Sequence, residues 1–253
     1  MPAAVGSEYK NRLRHAARPR EWGGVAWALL LLTVWAGLLG WLLVGYQARL
    51  TAVLTWLLVL PMTHLYTGLF ITAHDAMHGT LAPARPRLNR ALGTVAAALF
   101  AFNWYPRLLP RHHAHHQHVA TAHDPDFHDG RHADFVPWLV RFAWQYVTVW
   151  QVLAMAISYN LLKLAGIPVA NLLLYWIAPA VLATLQLFYF GTWQPHRGTH
   201  GPDNRHQARS QPPQHWWAFL TCYFFGYHYE HHEYPAVPWW RLWRTRSGVK
   251  PKA

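Results

Sequence analysis

Three short histidine clusters are the part of this sequence best equipped for chemistry: His74-Asp-Ala-Met-His78, His112-His-Ala-His115-His116 and His228-Tyr-Glu-His231-His232. Spacings of three and four residues put imidazoles on one face of a helix. A neutral imidazole offers a nitrogen lone pair that suits Zn, Cu, Fe and Ni. His74, His78, His112, His115, His116, His228, His231 and His232 occupy the facing positions, and His196, within Gln194-Pro-His-Arg197, adds a ninth nitrogen donor. Nine donors exceed the four of tetrahedral zinc or the six of an octahedral ion, so two metals are the economical reading. Soluble di-iron carboxylate proteins use Glu and Glu-x-x-His pairs. This chain has few carboxylates so spaced, and a di-iron site here must be histidine-rich. The lack of an obvious hydrolytic base favours redox iron over zinc.

The other histidines are weighed one at a time. His113 lies about 100° around the helix from His112 and is expected to face away. His118, three residues after His115, is open in role. His64 falls in the middle of an apolar stretch, where a polar side chain is either functional or bonded between helices. The histidines at 15, 123, 128, 132, 200, 206 and 215 are expected to be solvated or to support the ligands.

The acids follow the histidines. There are 10 acidic residues against 19 histidines, and only Glu8 and Glu21 lie away from the clusters. A metal-bound imidazole commonly gives its outer N–H to a carboxylate, which fixes the tautomer. Asp75, Asp124, Asp126 and Glu230 are placed for that role. Local balance of basic charge is an equal alternative for each.

The elements that position these residues are apolar helices. In 253 residues, 53% are hydrophobic and 13% charged, against roughly 25% charged in soluble domains. Mean hydropathy is nonetheless +0.00, because polar connections offset long apolar runs. Four stretches free of Asp, Glu, Lys and Arg, at 25–46, 50–73, 142–162 and 169–191, approach or exceed the roughly 20 residues a membrane helix needs. Without water in the bilayer, such runs must be helical. A shorter run, 91–104, is expected to lie at the interface or to dip in and out of the membrane. The single Cys222 excludes an internal disulfide framework.

Charge orients the spans. Arg49 and Lys163 sit in short hairpin loops, while the other 20 of 22 basic residues flank the opposite ends. The positive-inside bias then puts both termini, residues 74–141 and residues 192–253 in the cytoplasm, so that all nine histidines converge on one face. The net charge of +12 is assigned to anionic lipid headgroups and not to nucleic acid, because the basic residues bracket the spans. The expected fold is an all-α integral membrane protein. One domain, 1–253, has four transmembrane helices under a cytoplasmic histidine-rich cap.

At these residues the chain resembles the membrane-bound fatty-acid desaturase/hydroxylase superfamily, and within it the text is similar to the bacterial beta-carotene ketolases. The matching phrases are His74-Asp-Ala-Met-His-Gly79, Arg111-His-His-Ala-His-His116, Asp124-Pro-Asp-Phe127, Phe190-Gly-Thr-Trp-Gln-Pro-His-Arg197, Gly226-Tyr-His-Tyr-Glu-His-His-Glu-Tyr-Pro235 and Val237-Pro-Trp-Trp240. The resemblance runs from about the second span to Arg241. It implies two iron ions held by the nine histidines, dioxygen as co-substrate and electrons from a reduced ferredoxin-type donor. It implies oxidation of the C4 methylene of β-ionone rings to a ketone, with β-carotene giving echinenone and canthaxanthin, and zeaxanthin giving astaxanthin where hydroxylated rings are accepted. The location would be a bacterial inner membrane, with the polyene entering from lipid. Phe102, Trp104, Tyr105, Phe190 and Trp193 are candidates to line its tunnel, with interface belt or bundle packing as the alternative for each.

Within the enzyme class, a carotenoid ring hydroxylase, a fatty-acid desaturase or an alkane hydroxylase would carry the same boxes. From other classes, a cation transporter would need acids inside the spans, which are absent here, and a bis-histidine haem protein would need facing histidines within them.

Overall fold

The computed structural model describes residues 22–246, and these are helical with no strand among them. Glu8, His15, Glu21 and the five basic residues ahead of Val25 lie outside the described residues. Among the described residues ten helices follow in order: α1 Gly23–Gly45, α2 Val53–Met77, α3 Pro86–Leu99, α4 Tyr105–Gln117, α5 Phe135–Tyr146, α6 Val149–Leu164, α7 Val169–His196, α8 His215–Cys222, α9 His228–Glu233 and α10 Trp239–Leu242.

Three of them, α1, α2 and α7, are long and apolar enough to cross a membrane, with 23, 25 and 28 residues. Two expected ends move outward. The second span runs past Ala73 to Met77, and α7 runs past Gly191 to His196, so both carry histidines on the span helix itself. The stretch 142–162 is not one helix. It falls across α5 and α6, which are bent by 86° at a break, and a fourth crossing exists only if the pair counts as one. The cause is local capping. Thr148 is extended and its hydroxyl accepts from Gln151 N at 3.1 Å, while the Gln151 side chain takes Thr148 N, a capping box that starts a new helix inside the apolar run.

The centre of the bundle is α2, with α1, α3 and α7 packed on it. Leu31, Trp35 and Leu42 of α1, Met62, Tyr66 and Leu69 of α2, and Leu172, Tyr175 and Ala183 of α7 make the core, which Tyr223 and Trp239 close at one end. Outward faces are equally apolar: Leu29, Leu30 and Val34 on α1 and Leu60 on α2 are exposed, and α6 buries no residue at all. A helix apolar on every side has hydrocarbon as its solvent. Backbone groups freed by irregular turns are recaptured inside the bundle. Where α1 ends in a π turn, Asn171 of α7 donates to the carbonyls of Leu42 and Tyr46, each at 2.6 Å.

The segment expected at 91–104 is α3, which begins five residues earlier and ends at Leu99. It packs along the last turns of α2, from Ala76 beside Asn89 and Gly93 back to Phe70 and Tyr66 beside Phe100. A Cβ at Gly93 would stand 2.5 Å from the Ala76 side chain and 2.6 Å from the Tyr105 ring, so only glycine permits this approach. Asn89 of α3 donates to the Ala76 carbonyl at 2.7 Å and accepts from the amides of Leu81 and Ala82, which clamps the turn that follows His78. Gly79, at φ +73°, makes that turn possible.

Candidate metal centre

The nine histidines named from sequence come together beneath the bundle in two adjoining groups. His74, His78, His112, His116 and His231 form one, and His115, His196, His228 and His232 the other; within each group one nitrogen per ring lies within 4.8 Å of the rest. Helix periodicity divides them. On α4, His112 and His116 are four apart and serve the first group, while His115 reaches the second. On the short α9, His228 and His232 serve the second group and His231 the first. One surface of each helix thus feeds two sites. α7 contributes His196 from its last turn, after a π turn at Tyr189–Trp193 whose extra residue turns the remainder of the helix by about 100°.

The spacing of these nitrogens tests whether metal fits. Facing Nε2 atoms stand 3.1 Å apart in His74–His231, 3.0 Å in His116–His231, 3.1 Å in His115–His232 and 3.0 Å in His228–His232. One ring nitrogen carries either a proton or a lone pair and cannot satisfy two others, yet His231 Nε2 meets both His74 and His116, and His232 Nε2 meets both His115 and His228. Two ligands bonded to a common ion at about 2.1 Å and at right angles also stand about 3.0 Å apart. His196 adds a second sign: its Nδ1 donates to the Gln207 carbonyl at 2.8 Å, and its buried Nε2 has no partner. The residues fit two ions held by imidazole.

Protonation agrees with that fit. Burial first, and then repulsion by neighbouring imidazoles, drives His112, His228, His231 and His232 well below the ordinary histidine value and His116 down to about 2. These rings are neutral, with lone pairs free for a metal. His115 is the exception. Burial pulls it down, but the Asp124 hydrogen bond and the charges of Asp126 and Asp124 outweigh burial and raise it.

Of the four acids expected behind the ligands, one takes that place fully. His115 Nδ1 donates to both oxygens of Asp124, at 2.9 and 3.0 Å, and Asp124 also accepts the amides of Ala120 and Asp126. Burial alone would raise this carboxyl; those partners hold it below its ordinary value. Asp126 is one step removed, 4.0 Å from His115 Nδ1, and accepts the Tyr146 hydroxyl; burial pushes it up to about 6. Asp75 stands 3.5 Å from His74 Nδ1, too far for a strong hydrogen bond, and its other oxygen accepts the Trp239 amide at 3.0 Å, tying α10 to α2. Glu230 is a correction. Its carboxylate turns away from the imidazoles to the Ser210 hydroxyl and to Arg246 at 2.8 Å, because its position on α9 points opposite to His228 and His232.

One support was missed. The Gln207 carbonyl under His196 leaves no mark in a sequence, since any residue supplies one. Glu233 accepts from His206 at 2.8 Å, and the His206 ring lies 5.6 Å from His232.

His113 faces away as expected: exposed, it reaches the Met77 carbonyl at 3.1 Å and joins neither group. His118 is also outside both, beside His123. His64 stacks on Tyr223 at 4.2 Å with both ring nitrogens unpartnered, so it makes no helix–helix hydrogen bond.

Beside the first group lies an apolar cavity of about 140 Å³, walled by Phe70, Phe100, Leu108, Phe142 and Leu187, with His112 in its wall. None of the five aromatics named from sequence lines it. Ala101 and Phe102 both have positive φ, and the turn they make leaves Phe102 and Trp104 exposed. Tyr105 is packed under Gly93, Phe190 against the bundle core, and Trp193 against Phe135.

A lipid-facing helical bundle that ends in two adjoining histidine sets with metal-ligand spacing defines the class as membrane-type and histidine-rich. The sequence model of the family described as fatty acid desaturase matches residues 49–153 and 135–253, and the chain belongs to that family. It is 44% identical over 211 residues to the beta-carotene ketolase of Paracoccus sp. (strain PC1), covering 82% of this chain and 84% of that protein. It is 34% identical over 275 aligned residues to the beta-carotene ketolase of Haematococcus lacustris, covering 96% and 85%. With the zeaxanthin 4-ketolase of Chlamydomonas reinhardtii the identity is 40% over 249 residues; 92% of this chain aligns, but it spans only 56% of that longer protein.

Proposed function

We propose that this chain is a beta-carotene 4-ketolase, a non-haem di-iron membrane oxygenase that oxidises the C4 methylene of β-ionone rings to a ketone. The observation that carries the reading is His112, which belongs to the five-histidine group and also forms part of the wall of an apolar cavity. The ketolase relatives supply the substrate class, a carotenoid.

Two irons held by the nine histidines would supply dioxygen activation and the removal of hydrogen from an activated methylene. The protein does the rest. Asp124 fixes His115 as the tautomer with Nε2 free, and the Gln207 carbonyl does the same for His196. Phe70, Phe100, Phe142 and Leu187 exclude water and present a ring edge to His112. The cavity compares with the about 150 Å³ that accommodates benzene, smaller than a ring bearing three methyl groups, so it would receive the C4 edge of the ring and leave the polyene to run outward toward lipid. The paired polar groups Asp126 and Tyr146 sit at the cavity wall, tied to each other so that neither confronts the apolar substrate unpaired.

The same reading includes a single membrane domain over 1–253, four crossings with α6 carrying the third after the bend from α5, and a bacterial inner membrane. Termini and histidines face the cytoplasm, as the basic flanks suggest, and a reduced ferredoxin-type protein donates electrons. Product analysis in a β-carotene-producing host tests it. Echinenone and canthaxanthin support the ketolase; zeaxanthin from β-carotene would mean a ring hydroxylase. Zeaxanthin supplied separately shows whether astaxanthin forms. Metal analysis of purified protein is expected to give two irons per chain without haem absorbance, and zinc alone sinks the di-iron reading.

A further inference from the structure

A second cavity opens between α4 and α5. It is an open groove of about 720 Å³ whose walls carry the guanidiniums of Arg107, Arg111 and Arg141 and the imidazole of His132, with no carboxylate among its lining residues. Two of the guanidiniums are aimed by single bonds to backbone: Arg107 donates to the Gln145 carbonyl at 3.1 Å and Arg141 to the Phe127 carbonyl at 3.3 Å. Their remaining N–H groups are free of those bonds. Arg111 packs beside the Tyr146 ring, and its Nη1 is buried without a partner. The acids nearby already have partners, Asp129 on the groove's own His132 and Asp126 on Tyr146, with the charge of Arg111 also acting on Asp126. Converging guanidiniums with unfilled donors match the oxygens of a phosphate.

The rim is of the opposite character. Val136, Val140 and Trp144 of α5 are 63%, 62% and 87% exposed. This apolar edge continues into Val149 and Trp150 of α6, which are also exposed. Because α5 turns 86° from α6, it lies along the membrane surface if α6 crosses it. A basic groove behind an exposed Trp and apolar residues is the pattern of a helix lying in the interface. A soluble anion accounts for the arginines and leaves the rim unexplained; a phospholipid accounts for both.

We propose that the α4–α5 groove binds an anionic phospholipid, its phosphate on Arg107, Arg111 and Arg141 and its acyl chains along Val140 and Trp144. The site is independent of the ketolase reading. Native mass spectrometry of the full chain, purified in detergent and titrated with phosphatidylglycerol, tests it. Phosphatidylglycerol is expected to remain bound while phosphatidylcholine is lost. The double variant Arg107→Gln, Arg141→Gln is expected to weaken binding on the order of tenfold or more. Arg87→Gln with Arg90→Gln, two exposed arginines of α3, is the control for diffuse surface charge and is expected to change nothing. Trp144→Ala, a change at the surface that spares folding, is expected to weaken binding several-fold. Undiminished binding in the groove variant, an equal loss in the α3 control, no effect of Trp144→Ala, or equal stabilisation by inorganic phosphate would each overturn the proposal.

Discussion

The two histidine groups differ in how they are built. The four-histidine group is buried throughout, and two of its rings are braced from behind, His115 by Asp124 and His196 by the Gln207 carbonyl. In the five-histidine group His78, His112 and His116 are only half-buried, and no ring has an outer nitrogen within a strong hydrogen bond of a carboxylate. It is this looser group that borders the cavity through His112. On the proposed reading the braced site would resist change and the open one would meet substrate. The difference suggests that rigidity has been placed on one metal position and access on the other.

The largest effect tests the groups' interdependence. His231 faces both His74 and His116, at 3.1 and 3.0 Å, so it is central to the open group. His231→Ala and His112→Ala are expected to abolish ketone formation, with iron falling from two per chain to about one and the protein still inserted in the membrane. Activity near wild type in either variant removes that residue from the ligand set. Asp124→Ala attacks the braced group indirectly. Loss of such a support commonly costs about 10–100-fold in metal affinity or activity. Chelator titration should therefore strip one iron from this variant well before wild type. The corresponding change on the open side, Asp75→Ala, should leave metal affinity closer to wild type and instead lower thermal stability, because Asp75 chiefly holds Trp239.

Much of this site was legible in the sequence because ligand spacing is helix periodicity. Positions three and four apart at the end of α2, on α4 and on α9 select themselves, and they gave eight of the nine rings and the outward His113; His196 stands alone on α7 and is named from its place after the fourth apolar stretch. Their division into five and four was not legible, since it depends on how α4 and α9 cross. The supports divide in the same way. Asp124 sits close in sequence to the ring it braces, whereas the Gln207 carbonyl has no side-chain signature. Span positions followed from apolarity alone, but apolarity is blind to a capping box, so the break at Thr148 was read through. Of the five aromatics named for the tunnel, Phe102 and Trp104 are turned outward by two positive-φ residues at 101 and 102, and nothing in Ala-Phe announces a left-handed turn.

The cavity can be altered while both groups stay intact. Phe142→Trp adds volume to the wall at a position remote in sequence from every histidine. Overpacking typically costs about 1–3 kcal/mol when it intrudes on a filled space. Here it fills the space that the proposed function gives to the ring. Ketone formation is expected to fall about tenfold with iron still two per chain. A variant that loses iron as well would show that the cavity wall and the open group are mechanically one unit.

The smallest effect belongs to His113, and it bears on the comparison because His113 is adjacent to His112 without joining either group. Its ring reaches the Met77 carbonyl at the end of α2, one of the carbonyls a helix end leaves without an internal partner. Deleting that hydrogen bond costs about 1 kcal/mol, less where water replaces it. His113→Ala should therefore keep both irons, shift the denaturation midpoint slightly and reduce ketone yield less than twofold. A loss as deep as that of His112→Ala would mean that α4 is rotated relative to this structure, and the five-and-four division would fall with it, since the same rotation decides which group His115 and His116 each serve.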